Sequence, residues 1–516
     1  MKKRVVSKIA FYFFFTGLLV FWLLSNYIKK EFSDISFDQL LYSLKHTEGT
    51  SENAINDGII YVVIGLIICY IIYFLLYFVY KKCRYNYRIN IQYKDKKKTI
   101  SILPFGKLVK VFLIVPCSYI IIWTSLNNYK IVEYLNSLNT YSTLIEEKYV
   151  NPKDTKISFP KHKKNLIYIY VESLETSNTS IENGGAFEKS MIPNLEQLAL
   201  ENTNFSNTNK LGGALQLDGT GWTAGAIVGY STGLPLKVPV NGNEYKIKNS
   251  FLPGSYSIGE ILKDNGYQNY FMLGSDAKFG GRKTFFKEHG DYTFYDYKWA
   301  KKEKLIDKDY NVWWGYEDKK LFKFAKNKLK EISQNKEPFN FTMLTADTHF
   351  IDGYLDKSCG EVFDNHYANS FYCSDSMIGS FIDWIKEQDF YKDTVIVIVG
   401  DHLTMQHSFY DSIDPNYTRI TYNVIINSDT KAKKEKNRQF TSLDYYPTTL
   451  AALGCTIEGN RLGLGTNLYS SKQTLAEELG FELLDEELKK NSKFYNHYIL
   501  GDKDYYTMKS KIKDKE

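Results

Sequence analysis

Val395-Ile396-Val397-Ile398-Val399-Gly400-Asp401-His402 joins an apolar run to an acid and an imidazole, and Leu166-Ile167-Tyr168-Ile169-Tyr170-Val171-Glu172 repeats the pattern with a second carboxylate. Short apolar runs of this kind read as strands of a covered sheet. In an open α/β sheet, ligands bind outside the C-terminal strand ends, so Glu172, Asp401 and His402 are expected to meet in one crevice despite their distance in sequence. Carboxylate and imidazole donors brought together predict a metal-dependent active site.

Working outward, apolar runs at Gln268 to Leu273, Phe339 to Thr345 and Tyr422 to Ile426 give further strands. Amphipathic stretches at Pro193 to Glu201, Ser257 to Asn265, Glu317 to Ser333, Ser370 to Gln388 and Thr441 to Leu453 give helices, with Pro193 suited to a first helical turn. Strands alternating with helices predict an α/β fold with a mainly parallel sheet between helices. No internal repeat or low-complexity tract is present.

The 516 residues include 42 Tyr and 33 Phe, enough apolar material for a large core and a membrane region. Residues 9–28 and 58–80 carry no charge and are long enough to span a bilayer; 111–129 is a third such stretch, interrupted by Pro116. No small-residue cleavage site follows Ile28, so the first span reads as retained rather than as a signal peptide. Lys2, Lys3, Arg4 and Lys8 precede span one, and ten basic residues against Asp95 alone fill 81–110. Acids prevail between spans one and two, so the positive-inside rule puts residues after about 130 outside the cytoplasm. The organisation expected is a membrane anchor over 1–130, a linker over 131–160, a catalytic domain over 161–470 and a charged, solvated tail over 471–516. The basic loop is membrane-flanking, so the net charge of +6 gives no reason to expect nucleic acid as a partner.

Cys359 and Cys373 flank a polar, aromatic segment in the exported part, where an oxidising compartment favours joining them. Metal ligation is the rival reading, but neither has a second Cys or His at zinc-finger spacing.

A third informative site is Leu217-Asp218-Gly219-Thr220-Gly221-Trp222-Thr223-Ala224-Gly225, where glycines allow a sharp turn and a following helix start favours phosphate. A threonine-capped tight turn is the ordinary alternative, just as a strand-end Asp often caps a helix and a lone His is often only a hydrogen-bonding group. The ordered combination of Glu172-Ser173-Leu174-Glu175, Pro193-Asn194-Leu195, Gly221-Trp222-Thr223, Asp347-Thr348-His349, Gly400-Asp401-His402 and Asp444-Tyr445-Tyr446-Pro447-Thr448 decides against those alternatives. Together these motifs resemble the membrane-anchored phosphoglycerol transferases of the alkaline phosphatase/sulfatase superfamily, most closely the enzymes that decorate periplasmic glucans. Lipoteichoic acid synthases look like cousins. The likeness covers about residues 160 to 470, and Phe37-Asp38-Gln39-Leu40-Leu41 with Glu48-Gly49 adds to it.

The resemblance implies a divalent ion held by Glu172, Thr223, Asp401 and His402, with Thr223 as nucleophile. Manganese is favoured, with zinc or magnesium as alternatives that ligand type alone does not separate. It also implies that His349 contacts substrate phosphate and that Arg282, in Phe279-Gly280-Gly281-Arg282, aligns loosely with a basic phosphate contact. The synthases carry tryptophan where this chain has Gly280, and their five spans are not matched, which weighs against a polymerase. The function implied is transfer of phosphoglycerol from the membrane lipid phosphatidylglycerol to a glycan hydroxyl, at a bacterial inner membrane crossed several times, with the catalytic domain on the extracytoplasmic side. A phosphoethanolamine transferase and a phosphodiesterase or sulfatase-type hydrolase are the alternatives; the Cys/Ser-x-Pro-x-Arg pattern of sulfatases is absent. Aromatic residues near Trp313-Trp314 suit core packing better than a cover for lipid or sugar. His289, His366 and His407 complete no defensible spacing.

Overall fold

A computed structural model describes residues 2–32, 37, 40, 52–82, 88–93, 96–101, 105–237 and 250–501. The chain divides into two compact units, one of residues 1–37 with 51–135 and one of 38–50 with 136–516. Of the Phe37 to Leu41 and Glu48-Gly49 motif only Phe37 and Leu40 fall among the described residues.

The first unit contains helices α1 (Lys2–Phe32), α2 (Glu52–Lys82) and α3 (Phe105–Asn128). Among the described residues, Tyr12–Lys30 and Asn56–Phe78 are long and apolar enough to cross a membrane. Both turn apolar side chains outward, including Phe13, Ile64, Ile68 and Phe74, as hydrocarbon surroundings require. Residues 111–128 of the third expected span lie in α3, which carries Pro116 inside it. Polar contacts join the helices: Tyr12 and Tyr73 hydroxyls meet at 3.1 Å, and Asn128 Nδ2 donates to Asn26 Oδ1 at 3.1 Å. Part of the basic loop forms an antiparallel hairpin, Arg88–Tyr93 with Lys96–Ser101.

The second unit is built on a seven-stranded sheet of β1 (Asn165–Val171), β2 (Gly213–Ala214), β3 (Gln268–Leu273), β4 (Thr293–Tyr295), β5 (Phe339–Leu344), β6 (Thr394–Gly400) and β7 (Thr421–Ile426). The spatial order is β2-β7-β6-β1-β5-β3-β4. Strands from β6 through β4 are parallel, while β7 and β2 run antiparallel at one edge. The mainly parallel sheet read from the sequence is therefore present. Leu166–Val171 and Val395–Val399 of its central strands are continuous apolar runs because both faces are covered: Tyr168, Tyr170, Val397 and Val399 enter one core, and Ile167, Ile169, Ile396 and Ile398 the other.

On the first face lie α5 (Thr223–Thr232) and α8 (Tyr445–Ala452); on the second, α4 (Pro193–Glu201), α6 (Asp318–Ile332) and α7 (His366–Lys386). Ser257 caps the helix Ile258–Asp264 through a complete capping box with Glu260. Register then places the site, because Val171 pairs with Gly400 and Tyr170 with Leu344. Glu172, Thr345 and Asp401 consequently leave the sheet side by side.

Two boundaries differ from the sequence reading. The 131–160 segment is part of the second unit from residue 136, with Ile157–Ser158 pairing against Thr456–Ile457. The expected solvated tail after 471 is corrected as well: Leu475, Leu484, Leu488, Tyr495 and Ile499 are buried in the first core. The helix Phe481–Lys489 is strongly amphipathic, with charges covering one face while Leu484 and Leu488, one turn apart, bury the other.

Gly400 has no room for a side chain, since a Cβ would lie 1.8 Å from the Leu174 carbonyl oxygen. Gly400→Ala is expected to destabilise the domain by about 3 kcal/mol, seen as a lower denaturation midpoint of the full chain, because backbone rather than a flexible side chain must yield. An unchanged midpoint would contradict this packing.

Candidate active site

Past Val171 the backbone turns sharply at Ser173, which holds φ +54°, a left-handed conformation unusual for a residue with a Cβ. The turn aims the Ser173 N–H at Asp401 Oδ1, 2.8 Å away, while the Ser173 hydroxyl donates to Glu172 Oε1 at 2.9 Å. Asp401 Oδ1 also accepts the His402 N–H at 2.8 Å. One carboxylate oxygen thus ties both strand ends together. Its partner, Asp401 Oδ2, is buried and has no hydrogen-bond partner.

His402 Nδ1 lies 2.9 Å from the Leu403 carbonyl and donates to it, leaving Nε2 to face Glu172 Oε1 at 3.4 Å and Asp401 Oδ2 at 3.5 Å. Thr223 is the first residue of α5, and its hydroxyl makes no cap of its own helix. Instead the hydroxyl lies 3.3 Å from Glu172 Oε2 and 3.5 Å from His402 Nε2. Glu172, Asp401 and His402 are buried, whereas Thr223 is half-buried. The structure therefore brings together the four residues that the sequence singled out.

Electrostatics favour a cation among them. Burial pushes the Asp401 carboxyl up to about 7, helped by the charge of Glu172. For Glu172 burial acts the same way but is outweighed by the charges of His349 and His402, which hold it down to about 2. His402 is raised to about 10 against its burial, chiefly by Asp401 and then by Glu172. Two acids facing one imidazolium is the balance a buried carboxylate pair adopts when a proton stands in for a metal. One donor atom from each of Glu172, Asp401 and His402 lies within 4.8 Å of the others, so the orphaned Asp401 oxygen and the donor chemistry both fit a divalent ion.

His349 follows β5 on the same crevice. Its Nδ1 donates to the Phe350 carbonyl, so Nε2 is the atom that gives up the proton whenever the ring is neutral; burial lowers its pKa, while the charge of Glu172 opposes that shift. Arg282 is buried and starts the helix Arg282–Glu288. Its guanidinium is held by the Phe279 carbonyl (2.9 Å), Ser275 Oγ (3.1 Å) and the Asp276 carbonyl (3.1 Å), near enough for its charge to act on His349. Of the other histidines, His289 is a core group bonded to Glu260 and the Phe251 carbonyl.

The Sulfatase family model matches residues 164–455, more than half of the chain. The chain belongs to the sulfatase family. Similar relatives are phosphoglycerol transferase I of Shigella flexneri and of Escherichia coli, each 34% identical over 334 residues. The match covers 63% of this chain and 41% of each relative, so the chain spans about two fifths of the length of the curated relatives it matches. A solved alkaline phosphatase superfamily protein from Vibrio parahaemolyticus shares the fold with TM-score 0.50 and 21% identity, covering 65% of this chain and 79% of that one.

This sulfatase-family site has supports that the sequence did not disclose. Glu175, fully buried, accepts from Arg419 Nε at 2.9 Å, Thr404 N at 2.9 Å and Ser177 Oγ at 2.6 Å. Arg419 also donates to the Thr404 carbonyl at 3.1 Å, and the Tyr367 hydroxyl bonds both Thr404 Oγ1 (2.7 Å) and the Thr348 carbonyl (2.8 Å). The loops carrying Glu172, His349 and His402 are thereby tied into one network. Asp318 plays a similar part for His349, accepting the Ala346 N–H at 2.9 Å and the Asp347 N–H at 3.0 Å. Glu175→Ala is expected to lose about 3 kcal/mol in chemical denaturation, since Arg419, with a side chain only 14% exposed, would lose its fully buried counter-charge. A loss under about 1 kcal/mol would show that the pair is not structural.

The disulfide favoured by the sequence is present: Cys359 and Cys373 are bonded, with Cα atoms 5.7 Å apart.

Proposed function

We propose that this chain is a membrane-anchored transferase that moves phosphoglycerol from phosphatidylglycerol to a glycan hydroxyl through a phospho-threonine at Thr223. The observation that carries it is the half-buried Thr223 hydroxyl at the mouth of the Glu172–Asp401–His402 cluster, 3.3 Å from one carboxylate and 3.5 Å from the imidazole. The relatives named phosphoglycerol transferase I support the choice of transferred group.

Glu172, Asp401, His402 and Thr223 would hold a divalent cation, manganese before zinc or magnesium, which would supply Lewis acidity and lower the pKa of the hydroxyl. Thr223 Oγ gives up its proton and attacks the donor phosphorus; a P–O bond to threonine forms, the P–O bond to diacylglycerol breaks, and the proton released by Thr223 ends on the diacylglycerol oxygen. The acceptor hydroxyl then attacks phosphorus and gives its proton to His349 Nε2; the bond to Thr223 breaks, and the proton passes on to Thr223 Oγ, which restores the hydroxyl. Ser173 and the Glu175–Arg419 network hold the groups in place throughout. Arg282 contributes positive charge beside the phosphate.

In the same reading residues 1–130 form a multi-pass anchor, and the second unit, from residue 136 on and including the helices after 471, forms the catalytic domain on the extracytoplasmic side. The basic loop and the Cys359–Cys373 disulfide support this orientation. Anchoring confines the site to the layer that holds its insoluble donor.

Membranes containing the full chain and manganese, given head-group-labelled phosphatidylglycerol or phosphatidylethanolamine, test this reading. Label is expected on glycan from phosphatidylglycerol. Transfer from phosphatidylethanolamine alone would replace the donor, and release of free glycerol phosphate without labelled glycan would make the enzyme a hydrolase.

A further inference from the structure

Trp313 and Trp314 occupy a tight turn closed by Val312 N–H to the Gly315 carbonyl (2.9 Å) and Gly315 N–H to the Val312 carbonyl (3.1 Å). Gly315 sits against the end of β3, where a Cβ would lie 2.3 Å from the Gly274 carbonyl oxygen. The Trp313 indole N–H donates to the Ala346 carbonyl at 3.0 Å, fixing the turn to the segment that leads into His349. Trp314 is then held between two loops of the site. Its ring centroid is 4.6 Å from that of His349 and 5.6 Å from that of Phe279.

These tryptophans are half-buried, unlike their fully packed neighbour Tyr316. Core packing, the expectation from sequence, does not account for an indole posted at the crevice between His349 and the Phe279–Arg282 turn. Gly280 keeps the adjoining space open: a Cβ there would meet only Ala224 Cβ, at 3.6 Å, and Ala224 follows Thr223. The wall running from Thr223 to His349 therefore consists of an open glycine, a flat apolar indole and polar edges from Arg282 and His349.

We propose that Trp314 is the stacking surface for the sugar ring of the acceptor. A pyranose presents an apolar C–H face to an indole and hydroxyls to a polar rim, and rigid aromatics with a few placed polar groups are how such ligands are oriented. An acyl chain would need a continuous apolar surface, whereas this rim carries a guanidinium and an imidazole. The stacked ring would set one of its hydroxyls toward the phosphorus on Thr223. This inference rests on the transfer reading above and names its acceptor subsite.

The test compares full-length wild type, Trp314→Ala and Trp314→Phe in detergent by two measurements. The first is saturation-transfer NMR to maltopentaose and cellopentaose, which requires no turnover. The second is kinetics, following diacylglycerol release from phosphatidylglycerol without acceptor and then the dependence of transfer on oligosaccharide concentration. Trp314→Ala is expected to abolish saturation transfer and raise the oligosaccharide KM about tenfold, while donor cleavage slows less than threefold; Trp314→Phe restores most of both. No saturation transfer to either sugar in wild type overturns the proposal, as does an equal fall in donor cleavage and transfer, which would make Trp314 a prop for His349. A changed dependence on donor acyl length with unaltered sugar binding assigns the wall to lipid instead. Sugar binding lost in Trp314→Ala without any donor cleavage in wild type would uphold the subsite while overturning the transfer reading.

Discussion

Thr223→Ala is expected to lower transfer from phosphatidylglycerol by about ten-thousand-fold or more, since without the hydroxyl no covalent intermediate can form. The structure makes this a clean experiment. The Thr223 hydroxyl does not cap α5 and is only half-buried, so its removal should change stability by no more than about 0.5 kcal/mol. Thr223→Ser keeps an oxygen at the same position and should retain measurable transfer. Mass spectrometry of wild type quenched with donor and no acceptor should find the added phosphoglycerol on the peptide containing Thr223. Transfer by the alanine variant at more than about a tenth of the wild-type rate would reject this residue as nucleophile.

Asp401→Asn should be nearly as damaging for a different reason. Oδ1 organises the backbone of both strand ends, while the buried Oδ2 makes no hydrogen bond and faces His402 Nε2 at 3.5 Å. An asparagine can keep the first arrangement but places a neutral amide where a cation needs charge. Adding manganese at a hundred times its dissociation constant should stabilise wild type by about 2.7 kcal/mol and the variant hardly at all. Transfer should fall by about a thousand-fold. Equal stabilisation of both proteins by metal would remove Asp401 from the ligand set.

The parts of this architecture that were legible in the sequence are those with local signatures. Runs such as Val395 to Val399 announce buried strands because every side chain enters one of two cores, and the residues just past them inherit the crevice. The two-residue strand Gly213–Ala214 gives no such signal, and the reversed direction of β7 leaves no mark on its own residues. Arg419 could not be matched to Glu175 because an isolated arginine carries no local pattern that names a partner brought close only by folding. In the last segment, counting charges hid the apolar face that Leu484 and Leu488 form. Trp314 is a related case: an aromatic pair reads as core until its neighbours, here His349 and Phe279, are known.

That last segment also reaches the loop that carries Thr223. Asp485 Oδ1 accepts the Asp218 N–H at 2.7 Å, and the Tyr495 hydroxyl donates to the Pro235 carbonyl at 2.7 Å, so the final helices clasp the stretch on either side of Thr223. Ribosomes build chains from the amino end. The Thr223 loop leaves the ribosome well before its clasp, 267 residues separating Asp218 from Asp485, so the loop can be held in its folded form only after that later segment has been made.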